Sequence, residues 1–233
     1  MYNDPVLSPG PSDHEARWGG IWLVFTTVLL PSVLFGLNGL LAQPLSNSMV
    51  NMVYFITNFA VTLWIFRDFL KNALKAAMAR VFLTVWYGIL AYLAYQVFTE
   101  FVTRVILMID PGFGNVNDAN LQQMMEKDLV PLGLATVLLV PLTEETLYRG
   151  LIWRKLYDKN PTMAYLVSMV LFAAIHVVSY IGVYPPLRLV LCFVQYLPAG
   201  FCLCWCYKRS GNILSPILMH MLVNGAGVFA MLR

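Results

Sequence analysis

Residues 141–150 read P-L-T-E-E-T-L-Y-R-G, so three charged side chains sit between an apolar run over 129–140 and another that resumes at Leu151. A charge at a bilayer centre costs about 2.5–3.5 kcal/mol on insertion scales, so three of them imply a use. On a helix, Glu145 and Arg149 are i, i+4 neighbours in the favourable order, acid before base. Glu144 is turned about 100° away and has no such local partner. The pattern pairs Arg149 with Glu145 and leaves the Glu144 carboxylate free for chemistry. Pro141, three residues earlier, removes a backbone N–H and loosens the helix, which either admits water or merely kinks the span.

Two of the three histidines also fall in apolar stretches, His176 in V-L-F-A-A-I-H-V-V and His220 in I-L-M-H-M-L-V-N-G. His220 and Asn224, at i and i+4, share one helix face. Aimed at one point, an imidazole N–H and a carboxamide NH2 make an oxyanion hole. Glu144 and His176 come from different helices and could hold one water between them, and a carboxylate taken out of water is a stronger base. Base, orienting partner and oxyanion donors are what amide hydrolysis requires. Counted at 1.5 Å per residue from the basic span ends, Glu144 lies about 15 Å deep, His176 about 21 Å, His220 about 12 Å and Asn224 about 18 Å. All four then share one slab toward the cytoplasmic half. Gln195 and Asn58 read as interhelical hydrogen bonders, Tyr148 as packing, and Arg188 as a snorkelling cation.

The elements that must position these groups follow from composition. Of 233 residues, 59% are hydrophobic and only 12% charged, with mean hydropathy +0.69. Soluble domains are about 45–50% apolar and about 25% charged, so the chain reads as an all-α, polytopic integral membrane helical bundle. Seven apolar segments near 19–41, 49–68, 80–102, 129–154, 162–182, 188–207 and 212–232 are each close to the length of a span. Pro31 and Pro198 should kink the first and sixth. Glu100 and Arg104 form an i, i+4 pair suited to an interface. A polar tail over 1–18, which includes His14, lacks a signal peptide's basic start and cleavage site. Helices and an outer loop fill 19–128, and 129–233 carries the polar motifs. Within 110–128, the second half could form an amphipathic surface helix or an ordered loop.

Basic residues set the orientation. One side receives ten (Arg17, Arg67, Lys71, Lys75, Arg80, Arg154, Lys155, Lys159, Lys208, Arg209) and the other four (Arg104, Lys127, Arg188, Arg233). The richer side should be cytoplasmic, with the N-terminus inside. No basic patch is dense enough for nucleic acid. Cys192, Cys202, Cys204 and Cys206 share one apolar segment, where C-x-C-x-C scatters thiols round a helix, so they read as small buried hydrophobes and not a metal cluster.

Together, E-E-x-x-x-R (Glu144, Glu145, Arg149), F-x-x-x-H (Phe172, His176) and H-x-x-x-N (His220, Asn224) resemble the three motifs of the CPBP family, the CAAX-protease and bacteriocin-processing (ABI) intramembrane proteases. The resemblance covers about 129–233, with the first three spans only generically membrane-like. It implies an integral-membrane endopeptidase in which Glu144 activates water with help from His176. His220 and Asn224 would be the oxyanion donors, with Glu145 and Arg149 in support. Relatives cut prenylated CAAX proteins or, in bacteria, act in bacteriocin self-immunity and peptide processing. The compact chain looks more like the bacterial branch, which implies a bacterial plasma membrane and a peptide or protein substrate, lipidated or not. The family has also been described as metal-dependent. No cofactor is expected here; the zinc alternative would use Glu144, His176 and His220. Two other readings compete. A membrane immunity or scaffold protein would bind a partner peptide without catalysis. A proton- or ion-coupled transporter should show inverted repeats and paired broken helices, which the sequence does not reveal.

Overall fold

The structure is a computed structural model that describes residues 6–231, apart from the side chain of Lys127. Of the charge reading, Arg233 and the Lys127 side chain therefore lie outside what is described. The chain folds as helices α1 Asp13–Gly39, α2 Asn47–Ile65, α3 Arg67–Ala79, α4 Val81–Ile109, α5 over 116–127, α6 Asp128–Tyr157, α7 Pro161–Ile175, α8 Pro186–Ser210 and α9 Leu214–Met231. Seven helices among the described residues, all but α3 and α5, are long and apolar enough to span a bilayer; the span begun by α7 runs on to Tyr180. No strand forms among the described residues beyond an isolated bridge between Ile181 and Tyr184.

The first span starts earlier than its apolar run suggests. Ser12 and Glu15 form a capping box, so α1 begins within the polar tail. The buried Glu15 carboxylate accepts from Ser12 N at 2.8 Å and reaches across to Phe69 N at 2.8 Å, which also caps α3. Ser8 and Asp13 bond to Gly211, Arg154 and Lys155, so the described part of the tail is docked against one end of the bundle. Residues 67–79 entered the charge count only as a basic connection. They form α3, which buries Phe69, Ala73 and Ala77 at i, i+4 and i+8.

At the centre, α8 packs against α4 and α7, while α9 lies against α4, α6 and α8. Trp153 is fully buried, its ring 5.0 Å from Tyr207 and 4.5 Å from Tyr157. All four cysteines are buried and free. Asn58 and Gln195 bond across helices: Trp22 Nε1 donates to Asn58 Oδ1 at 2.9 Å, and Gln195 Nε2 donates to Thr103 Oγ1 at 3.1 Å. Arg188, in the first turn of α8, donates to Gly112 O at 2.9 Å. The α8–α9 turn is closed by Gly211 at φ +79°, a conformation that favours glycine.

Prolines act unequally. Pro198 lies inside an unbroken α8 and does not interrupt it. Pro31 and Pro141 each follow a π turn, at Phe25–Leu29 and Ala135–Leu139, where Leu30 N bonds to Phe25 O and Val140 N to Ala135 O. Continued one step, that five-residue pattern would call on the prolines, which have no N–H, to reach Thr26 O and Thr136 O. At Pro31 and Pro141, where the sequence led one to expect a disturbed helix, the irregularity takes the form of a π turn.

Replacing Glu15 by Ala removes the acceptor for both caps. It should lower stability by about 1–2 kcal/mol, with Glu15→Gln milder, read as the unfolding midpoint of detergent-solubilised protein.

Candidate active site

The E-E-x-x-x-R motif lies where α6 passes from α-helix into a second π stretch, Thr146–Trp153. Glu145 and Arg149 are both 0% exposed. Their i, i+4 ion pair forms, with Arg149 Nη1 donating to Glu145 Oε1 at 3.1 Å. The guanidinium also stands 4.2 Å over the Phe172 ring, and its Nη2 donates to Gly200 O at 3.4 Å. At Gly200 the backbones of α7 and α8 come close: an added Cβ would lie 3.1 Å from Met169 Cα. One ion pair therefore draws three helices together.

The same carboxylate has a second partner. His220 Nδ1 lies 2.8 Å from Glu145 Oε1, joining the first motif to the third. The link spans 75 residues and leaves no trace in local spacing. It fixes the ring and leaves Nε2 as the free nitrogen of His220.

His176 is not in mid-helix. It is the C-cap of α7, whose fifteen residues rise about 22 Å. Its Nδ1 pairs with Phe172 O at 2.7 Å, and its ring stacks on Tyr196 with centroids 4.1 Å apart. The F-x-x-x-H spacing is thus the reach of an imidazole back to a carbonyl one turn earlier. His176 thus stands at the far end of α7 from the basic Arg154–Lys159 connection.

Asn224 Nδ2 donates to Thr136 O at 2.8 Å. That carbonyl is the one Pro141 cannot serve, so the proline's missing N–H supplies an acceptor that anchors the Asn224 side chain. One carboxamide hydrogen remains.

Glu144, His176, His220 and Asn224 all line one cavity of about 1050 Å³, whereas Glu145 and Arg149 stand behind its wall. Glu144 Oε2 is buried with no hydrogen-bond partner, as are Glu145 Oε2 and Arg149 Nε. Of these three orphans, only Glu144 faces the cavity. Tyr148 lines it too, while packing edge-on against Phe172 at 6.0 Å. The remaining walls come from elements the sequence treated as generic: Thr26 of α1, Tyr54 and Asn58 of α2, Asn117, Asp118 and Met124 of α5, and Tyr180. α5 is helical, one of the two forms the sequence left open for this stretch, and it also walls the cavity. Asp128, at φ −132° and ψ 46°, makes the kink that turns the chain from α5 into α6.

Among the described residues, no three His, Cys, Asp or Glu side chains gather closely enough to hold a metal ion. The zinc set of Glu144, His176 and His220 is therefore not assembled. His220 Nδ1 is committed to Glu145, and His176 Nδ1 to a carbonyl.

Residues 126–226 match the family described as type II CAAX prenyl endopeptidase Rce1-like. This segment holds all three motifs, as the motif resemblance led one to expect. The UPF0177 protein YxdF of Lactococcus lactis subsp. lactis (strain IL1403) is 30% identical over 87 residues, which is 37% of this chain and 42% of that relative. The matched stretch thus spans less than half of the curated relative's length. No solved structure matches the chain.

Because Glu145 neutralises a buried cation, Glu145→Ala should destabilise the protein by about 3–5 kcal/mol. Pairing it with Arg149→Met should recover part of that loss. Chemical unfolding of the single and double variants measures the coupling, and additive losses would show that the ion pair does not tie the helices.

Proposed function

We propose, from the match of residues 126–226 to the Rce1-like endopeptidase family, that this chain is an intramembrane endopeptidase that hydrolyses a peptide bond with a glutamate-activated water. The observation that carries the reading is the partnerless Glu144 carboxylate oxygen in a cavity shared with His176, His220 and Asn224.

In this mechanism the substrate's carbonyl enters between the α6 and α9 side chains. Water sits against Glu144 and His176, and Glu144 takes its proton as the oxygen attacks the carbonyl carbon. Negative charge then collects on the former carbonyl oxygen. It is met by the free carboxamide hydrogen of Asn224 and by His220 Nε2. Since His220 Nδ1–H is directed at Glu145, Nε2 donates only from the imidazolium, whose charge the Glu145 carboxylate faces at 2.8 Å. Collapse of the tetrahedral adduct breaks the C–N bond. The proton held by Glu144 passes to the leaving nitrogen, giving a carboxylic acid and an amine. Glu145 and Arg149 touch neither substrate nor water; they position His220. The reaction is metal-free in this reading, and the substrate is a peptide or protein segment reached from the membrane.

The family match and the orphan carboxylate favour this over a non-catalytic binder, which has no need of a buried base beside two donors. Nothing in the site requires the substrate to be prenylated, and a bacteriocin-related role is one setting in which such a peptidase would act.

Purified protein in nanodiscs, given a quenched peptide library, should show cleavage that Glu144→Gln reduces by about 10²–10⁴-fold. Asn224→Ala should lower kcat by about 10²–10³-fold with little change in KM. Equal cleavage by wild type and Glu144→Gln would remove Glu144 from the mechanism. In the same assay a chelator should leave the rate unchanged; lasting loss restored by zinc would overturn the metal-free reading.

A further inference from the structure

Between two spanning helices lies one that cannot span. α3 has 13 residues, about 20 Å of helix, and carries Arg67, Asp68, Lys71 and Lys75. Its neighbours α2 and α4 are both span-length, so α3 joins two span ends on the same side of the bilayer. The chain leaves regular helix at both junctions, Phe66 (φ −99°, ψ 20°) and Arg80 (φ −138°, ψ 41°), so α3 continues neither span. Two exposed tryptophans bracket it: Trp64 near the end of α2, and Trp86 in the second turn of α4, stacked on Phe82 at 6.5 Å. Tryptophan collects at headgroup depth.

Side chains four apart follow one another along a helix, and α3 sorts its own into three stripes. Phe69, Ala73 and Ala77 are buried against the bundle, where the Phe69 ring lies 2.9 Å from the position of an added Cβ at Gly150. About 100° round the helix come Leu70, half-buried, then Leu74 and Met78, 51% and 71% exposed. About 100° further come Arg67, Lys71 and Lys75, all exposed. Asp68 is the one acid of the helix and stands 3.9 Å from Arg67, so the exposed face is net positive. An apolar stripe with protein on one side and cations on the other suits neither water nor hydrocarbon alone. It suits the boundary between acyl chains and headgroups. There Leu74 and Met78 dip among the chains, and the lysine stems run along that boundary to bring their ammonium groups to the phosphates.

We infer that α3 is a docking helix for anionic phospholipid, lying in the headgroup layer of one leaflet with Arg67, Lys71 and Lys75 on lipid phosphates. A zwitterionic lipid offers the same phosphate with its charge cancelled, so the preference is for a net-negative headgroup. Lipid held here also steadies the bundle. Phe69 presses on Gly150, the residue after Arg149, and its N–H is capped by Glu15 from the docked tail. Anything that binds the folded chain alone raises its stability, so anionic lipid should raise the unfolding midpoint. Such binding requires no catalysis and holds whether or not the chain is a peptidase.

The whole chain, purified in detergent, is titrated with phosphatidylglycerol or with phosphatidylcholine of the same acyl chains, and bound lipid is counted by native mass spectrometry. Phosphatidylglycerol should bind about tenfold more tightly and give the higher unfolding midpoint at equal lipid concentration. Lys71→Gln with Lys75→Gln should remove most of both effects. Lys159→Gln with Arg104→Gln takes the same charge from elsewhere and should leave them. All four side chains are exposed, so neither pair threatens the fold. Depth is read separately in phosphatidylglycerol nanodiscs, from a fluorophore on Leu74→Cys; the four native cysteines are buried, so the label goes to the introduced thiol. A lipid-borne quencher should dim it, and aqueous iodide should not. The inference is overturned by equal binding of the two lipids, by a preference that survives the lysine pair or falls equally with the control pair, or by a label open to iodide. A soluble acidic peptide that displaces phosphatidylglycerol from the stripe would also overturn it, by assigning the surface to a protein partner.

Discussion

One carboxylate oxygen organises the bundle. Glu145 Oε1 meets Arg149 within α6 and His220 from α9, and Arg149 in turn lies on Phe172 of α7 and bonds to Gly200 of α8. Four helices thus converge on a pair of charges with no exposed surface. Attraction between apolar faces is weak in a bilayer, where lipid tails solvate them as well as protein does. A buried ion pair is different, because separating it leaves a charge that lipid cannot solvate. The pair is a poor source of net stability but a strong source of register. It tells four otherwise slippery helices where to stop.

Adjacency explains why two glutamates stand side by side. Successive helical residues point about 100° apart, so one carboxylate can turn inward to the helix contacts while its neighbour faces the cavity. Glu145 is consumed by structure, and Glu144 is left with an oxygen that no protein group satisfies. A similar economy operates at Pro141. The π turn before it places Thr136 O in the path of a donor the proline lacks, and Asn224 takes that place. An irregular backbone at membrane depth is tolerated here because it faces a cavity and is satisfied by a side chain.

Much of this was legible in the sequence. Apolar runs near the length of a span gave seven helices, and charges stranded within them marked the site, since solvation makes both signals strong. The α1 start was also readable: Ser12 and Glu15 are a capping box, overlooked because the surrounding residues are polar. The 67–79 helix was signalled by Phe69, Ala73 and Ala77 on one face. What could not be read were contacts between distant residues. Glu145 with His220, Tyr196 beneath His176 and Asn224 on Thr136 leave no periodicity behind, because each depends on how whole helices are placed. That His176 caps its helix was equally hidden: hydropathy continues past Ile175, but the α-helix does not.

The division of the cavity between two parts of the chain bears on how far kinship can be carried. The family match begins at residue 126, so it covers Glu144, His176, His220 and Asn224 and omits α1, α2 and nearly all of α5. Those omitted helices supply Thr26, Tyr54, Asn58, Asn117 and Asp118 to the walls. The matched segment brings Glu144, His176, His220 and Asn224 to one cavity, with His220 held by Glu145. Choice among peptides depends on groups several ångströms from the scissile bond, where the walls are. The two parts of the cavity therefore differ in kinship: the motif side chains lie within the matched segment, while most of the facing walls lie outside it.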